Sequence, residues 1–169
     1  MVKIQLNEPV KKIFPKWKIT PDVYAGVITD VSDIVQIPSY EGTETIPRIV
    51  FRIKLTDAEL NAELLNSTEL TDNLPADVEL PRFVKPIVTK GSGTYANSEL
   101  YNLLDKSGLM GQFAEFVEVA SQQIDFASPE GEIEFAKWIK DNFINKNVKV
   151  NVGVTTAGTA KIKEIIKFV

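Results

Sequence analysis

The chain contains no cysteine and no histidine. Disulfides are therefore impossible. Zinc held by Cys or His is excluded too, which covers nearly all structural zinc. So are a Ser-His-Asp or Cys-His nucleophile and a histidine general base. Many enzyme classes fall away with these two residue types. Long apolar runs are also missing, and none approaches the length that spans a bilayer. The opening residues, MVKIQLNEPVKK, offer no apolar signal core and no small-residue cleavage site. The expectation is a cytoplasmic protein that engages no membrane. With 169 residues, 44% of them hydrophobic, the chain is long enough for one domain with a real core.

Charge of one sign is missing locally. Residues 57–81 carry seven acids and no base, and residues 98–141 carry nine acids against three lysines. The remaining residues hold sixteen lysines and arginines against seven acids. Those residues include nearly every stretch with strand character. The pattern predicts a basic sheet joined by acidic connections, inside a protein of net charge −4.

The clearest strand is Ile46 to Asp57, IPRIVFRIKLTD. Ile49, Phe51, Ile53 and Leu55 alternate with Arg48, Arg52 and Lys54, so one face is buried and the other wet and basic. Such a face is either a ligand surface or merely a solvated outer strand. Upstream, KKIFPKWKIT interleaves Phe14 and Trp17 with lysines, while Pro9, Pro15 and Pro21 forbid a helix or a central strand. Rings among lysines suit bases and phosphates. Alternatively, Phe14 and Trp17 plug one end of the core.

Val23 to Ile37 reads as a long strand whose phase slips near Ile34, which predicts a bend or bulge. PSYEGTET, residues 38–45, is a hairpin loop carrying one aromatic, Tyr40. Residues 58–81 form an acidic insertion, expected to pack loosely and either to lie away from a polyanion site or to shield it when empty. RFVKPIVTK, residues 82–90, is predicted as the third strand, with Pro86 arguing for an edge or a bulge. Helical spacing occupies 97–145: SELYNLLDKSG, then LMGQFAEFVEVASQQIDF, then a segment capped at Ser128 with Pro129 in its first turn. NVKVNVGVT and AKIKEIIKFV close the chain as a hairpin around TAGT, with a bulge predicted near Ile165.

Three strands, a helical connection, then two hairpin strands is an order that resembles the OB-fold. The predicted class is mainly β with a helical insertion (α+β): a five-stranded OB-like Greek-key barrel, β-β-β-α-β-β. Residues 1–22 are an N-terminal extension to a single domain over 23–169. The resemblance rests on element order and the bent first strand, with no signature motif. The acidic insertion and the long helical connection depart from the simplest OB domain, and the acidic tail of bacterial single-strand-binding proteins is absent. The resemblance implies a ligand face on the second and third strands, flanked by the first and last hairpin loops. Here that face comprises Arg48, Arg52, Lys54, Arg82 and Lys85, the loop with Tyr40 and the turn at 155–159.

Local motifs suggest no chemistry of their own. GSG at 91–93 lacks the Gly-Lys-Ser/Thr of a phosphate loop and reads as a hinge. Glu130, Glu132 and Glu134 suit a helix start. Asp30 and Asp33 have no spacing that requires a metal. The expected function is binding of single-stranded DNA or RNA, DNA before RNA, without catalysis, metal or cofactor. Arg48, Arg52, Lys54, Arg82 and Lys85 would neutralise phosphates, and Tyr40, Trp17 and Tyr95 would stack bases. The pattern allows a homo-oligomer. The alternatives are a protein–protein interaction module on the same barrel and, third, a carboxylate–metal hydrolase.

Overall fold

The computed structural model describes residues 14–39 and 41–169, the side chain of residue 60 excepted. Its strands are β1 (Trp17–Lys18), β2 (Asp22–Val31), β3 (Val35–Pro38), β4 (Thr45–Leu55), β5 (Glu63–Leu64) and β6 (Glu79–Val84). Three helices follow, α1 (Glu99–Lys106), α2 (Met110–Ala120) and α3 (Pro129–Phe143), and then β7 (Asn147–Val154) and β8 (Ala160–Phe168). The class is mixed α+β and rich in antiparallel sheet. No helix among the described residues is long and apolar enough to cross a membrane.

The alternation of β4 is realised residue by residue. Ile49, Phe51, Ile53 and Leu55 are wholly buried, and Arg48, Val50, Arg52 and Lys54 are half-buried on the other side. β4 pairs with three strands, β2, β3 and β6. β2 lies on one edge with Ile28 opposite Ile53, and β6 on the other with Leu80 opposite Ile53. β7 pairs with β2 and β8 with β7, all antiparallel. The phase slip near Ile34 is a real interruption: β2 and β3 are separate strands that both pair with β4. Ser32 bridges the gap, its amide donating to the Val50 carbonyl and its hydroxyl accepting from the Val50 amide. A bulge at Thr29 bends β2 as well.

The third strand differs from expectation. It begins at Glu79 and ends at Val84, and residues 85–90 are not strand. Pro86, which has no amide proton to give a ladder, lies just beyond the strand end. Moving the strand upstream shortens the acidic insertion and reverses the reading of Arg82. Leu80, Arg82 and Val84 share one side of β6, and it is the core side.

The insertion is better packed than its composition predicts. Ala58, Leu70 and Val78 are buried, and Glu63–Leu64 pairs with Trp17–Lys18 as a small second sheet. The Asn66 side chain is buried because it satisfies two backbone groups, accepting from the Lys16 amide and donating to the Phe14 carbonyl, each at 2.9 Å. The chain from Trp17 onward thus belongs to the main core, together with Ile19.

α3 begins at Ser128, the cap read for it, and a serine also caps α1. Ser98 accepts from the Tyr101 amide and Ser128 from the Gly131 amide. Leu100, Leu103 and Leu104 bury one face of α1. Phe143 carries α3 into the sheet, its ring edge-on to Phe51 at 5.6 Å and tilted against Phe168 at 5.7 Å. A separate aromatic cluster joins α2 to α3, with Phe116 stacked on Trp138 at 5.5 Å.

Candidate nucleic-acid interface

The outer face of β4 and β6 follows from their register. Val50 stands opposite Phe83, Arg52 opposite Pro81, and Lys54 opposite Glu79. Phe83 is therefore turned outward and is 43% exposed. Arg48 and Arg52 flank Val50 along β4, each about 7 Å away at two-residue spacing. An exposed ring is thus placed opposite a β4 position flanked on both sides by arginines.

Arg52 does not stand free. Its guanidinium carbon lies 5.3 Å from the centre of the Phe14 ring, which is 47% exposed. That contact sets the cation against an exposed ring. Arg48 turns back to donate to the Pro47 carbonyl at 2.7 Å. Lys54 is 3.3 Å from Asp77. Asp30 occupies the position opposite Arg52 on β2 and pairs with Lys140 at 3.4 Å. Glu79 accepts from the Thr29 hydroxyl at 2.6 Å. The acidic insertion brings Asp77 and Glu79 onto this face, where Asp77 pairs with Lys54, while Arg48 and Arg52 have no ion-pair partner among the described residues.

The other sequence-predicted residues are scattered. Lys85 is exposed just past the end of β6. Arg82 does not join the outer face. Its Nε donates to Glu99 at 2.8 Å and its Nη1 to the Ile162 carbonyl at 3.0 Å, so it spans from β6 to β8. Trp17 is only 8% exposed and packs in the core, which removes it from the candidate stacking rings. Its indole N–H has no partner among the described residues. Tyr95 is 81% exposed on the loop between β6 and α1. Tyr40 lies outside the described residues.

Among the described residues Phe83 and Phe14 are the rings this face presents; Phe14 was read as a ring among lysines without being named for stacking, and Phe83 was missed. For Phe83 the signal was present. Val78, Leu80 and Val84 keep a period of two into which Arg82 falls, which forces Phe83 out. Reading the strand from Arg82 onward hid that row.

Among the described residues no group of three acids converges as a metal site. A separate groove of about 530 Å³ opens between the β3–β4 hairpin and helices α2 and α3. Phe113, Val117, Phe126 and Phe135 line it, and Glu132 is the one charged residue in its lining among the described residues. At the opposite end of β2, burial, and then Asp22 and Asp57, push the Tyr24 hydroxyl above its ordinary pKa. That hydroxyl donates to the Thr20 carbonyl at 2.6 Å. In comparison with known proteins, the chain matches no family model, no curated protein and no solved structure.

Proposed function

We propose that this chain binds single-stranded nucleic acid, DNA before RNA, on the outer face of β4 and β6, without catalysis. The observation that carries the reading is the exposed Phe83 ring set between Arg48 and Arg52 on the neighbouring strand. A ring there gives a base a stacking platform, and the flanking arginines of the neighbouring strand can turn to the phosphates on either side. The strand order supports an OB-like barrel of five principal strands, β2, β4, β6, β7 and β8. The Arg82 side chain reaching from β6 to the Ile162 carbonyl of β8 supports closure of such a barrel at that seam, where no ladder pairs the described strands.

Titration of a labelled single-stranded oligonucleotide at several salt concentrations tests the reading. Binding should weaken as salt rises. Arg52→Ala should weaken binding similarly for every sequence and flatten the log–log salt slope by roughly 0.7. Absence of binding at low salt would remove the proposal. DNA and RNA oligonucleotides of one sequence, run in parallel, decide between the two polymers.

The apolar groove favours a second reading, a protein-interaction module. Its volume and its aromatic lining suit apolar side chains of a partner. A partner whose capture is lost on Val117→Asp, in a protein that binds no oligonucleotide, would establish that reading instead.

A further inference from the structure

Lys54 of β4 is ion-paired, but among the described residues no acid pairs with Lys149, Lys161, Lys163 or Lys167 of β7 and β8. Lys149 of β7 stands directly opposite Lys167 of β8. Like charges at opposed positions of an antiparallel pair destabilise a sheet. On its other side Lys149 faces Ala25 of β2, which brings no charge. Asp57, which follows β4, is turned onto the Ala25 amide at 3.1 Å. The one acid from residue 142 to the last residue is Glu164, and it lies 3.4 Å from Lys106.

Two bulges in β8 concentrate this charge. The register with β7 slips once between Val150 and Lys149 and once between Val152 and Asn151. Ile162, Ile165 and Phe168 then face inward at three-residue spacing. Lys161, Lys163 and Lys167 are left exposed. Gly153 completes the arrangement, because a Cβ built there would overlap the Lys163 side chain. The Lys163 chain therefore lies across β7 toward the side that carries Lys149.

We propose that Lys149, Lys163 and Lys167 form a second phosphate-contacting strip, which a single strand reaches by crossing the sheet from β4. This inference rests on the nucleic-acid reading above and extends its footprint. Three inter-strand steps, about 14 Å in all, separate β4 from β8. Between them β2 presents the apolar Val23, Ala25 and Val27, over which bases can pass, with Asp57 held on the Ala25 amide and Asp30 further along the strand. A bound phosphate between Lys149 and Lys167 would turn their repulsion into two attractions.

The test is titration of labelled single-stranded oligothymidylate with the full chain, the Lys149→Gln/Lys167→Gln double variant and the Lys149→Arg/Lys167→Arg double variant. Removing two phosphate-binding cations should flatten the salt slope by about 1.4 and weaken binding about 25-fold at 0.1 M salt. The glutamine variant should melt no lower than the parent, since it removes a repulsion. The arginine variant should keep the parent slope. Unchanged affinity and slope in the glutamine variant, with Arg52→Ala still impaired, would overturn the strip and leave the β4 face standing. Equal losses in the glutamine and arginine variants would also overturn it, by assigning the effect to packing. No binding by the parent chain would instead overturn the reading on which the strip rests.

Discussion

Arg82 in β6 donates from Nη1 to the carbonyl oxygen of Ile162 in β8, at 3.0 Å, across a seam where no backbone ladder forms among the described strands. Its Nε is held by Glu99 at the start of α1, at 2.8 Å. One fork-shaped side chain thus ties the sheet's two far strands to the helical connection. Lys106 does a similar service two turns later, donating to the Ile165 carbonyl at 3.2 Å.

Arg82→Ala should therefore act on stability and not on ligand. Loss of the two charge-assisted bonds should cost about 1.5–3 kcal/mol. The lower end is expected, because both partners are close to a third exposed and solvent screens them. Arg82→Lys should restore little, since an ammonium lacks the planar fork that meets a carboxylate and a carbonyl together. Denaturant titration measures the loss, and oligonucleotide titration of the folded variant should show unchanged affinity.

Phe83 and Trp17 should separate binding from folding. Phe83→Ala removes an exposed ring and should cost about 1–3 kcal/mol of binding with little change in salt slope. Its effect on unfolding should stay near that of an ordinary surface substitution, about 0.5 kcal/mol. Trp17→Ala empties part of the core and should cost about 3–5 kcal/mol of stability. If Phe83→Ala leaves affinity unchanged, the stacking platform is elsewhere, and Phe14 is the next ring to remove.

The sheet was legible because its residues obey a period of two with few exceptions. β4, β7 and β8 lie within a residue or two of their predicted bounds, and α3 starts at Ser128 as its cap requires. The face was less legible, for two physical reasons. An arginine can occupy an inward position when its head reaches the far edge of a core, as Arg82 does, and alternation alone does not reveal that reach. Charge compensation depends on tertiary placement. Nothing in the spacing shows that Asp77 returns to Lys54. The burial of Trp17 and exposure of Phe14 likewise follow from the pairing of β1 with β5, a contact between segments forty-seven residues apart at Trp17 and Leu64.

Tyr24 gives the chain an alkaline limit that one substitution should move. Burial, then the nearby Asp22 and Asp57, raise its folded pKa above the ordinary value of about 10. The unfolded chain then loses the tyrosine proton first as pH rises. The stabilising contribution is fully present below about pH 10 and is lost from there through the higher folded pKa. Tyr24→Phe should cost about 1 kcal/mol at neutral pH, from the lost hydrogen bond to Thr20. The difference in stability between parent and variant should shrink above about pH 10. A difference that is constant across that range would mean the hydroxyl titrates as it does in the unfolded chain.

Asp77 offers the sharpest test of how the acidic segment relates to the β4 face. Its carboxylate lies 3.3 Å from Lys54 and is half exposed, so the pair contributes only about 0–1 kcal/mol to stability. A phosphate approaching Lys54 must displace that carboxylate, and the two anions repel each other while it does. Asp77→Asn keeps the side-chain shape and removes the competitor. Binding to single-stranded DNA should then tighten, by about fivefold at 0.1 M salt if Lys54 meets one further phosphate, and the salt slope should steepen by roughly 0.7. The thermal midpoint should change little. Lys54→Gln in the Asp77→Asn background should cancel the gain, which ties it to that one cation and not to the general loss of an acid. Should Asp77→Asn leave both affinity and slope at the parent values, Lys54 makes no phosphate contact, and the ligand runs past Arg48 and Arg52 alone.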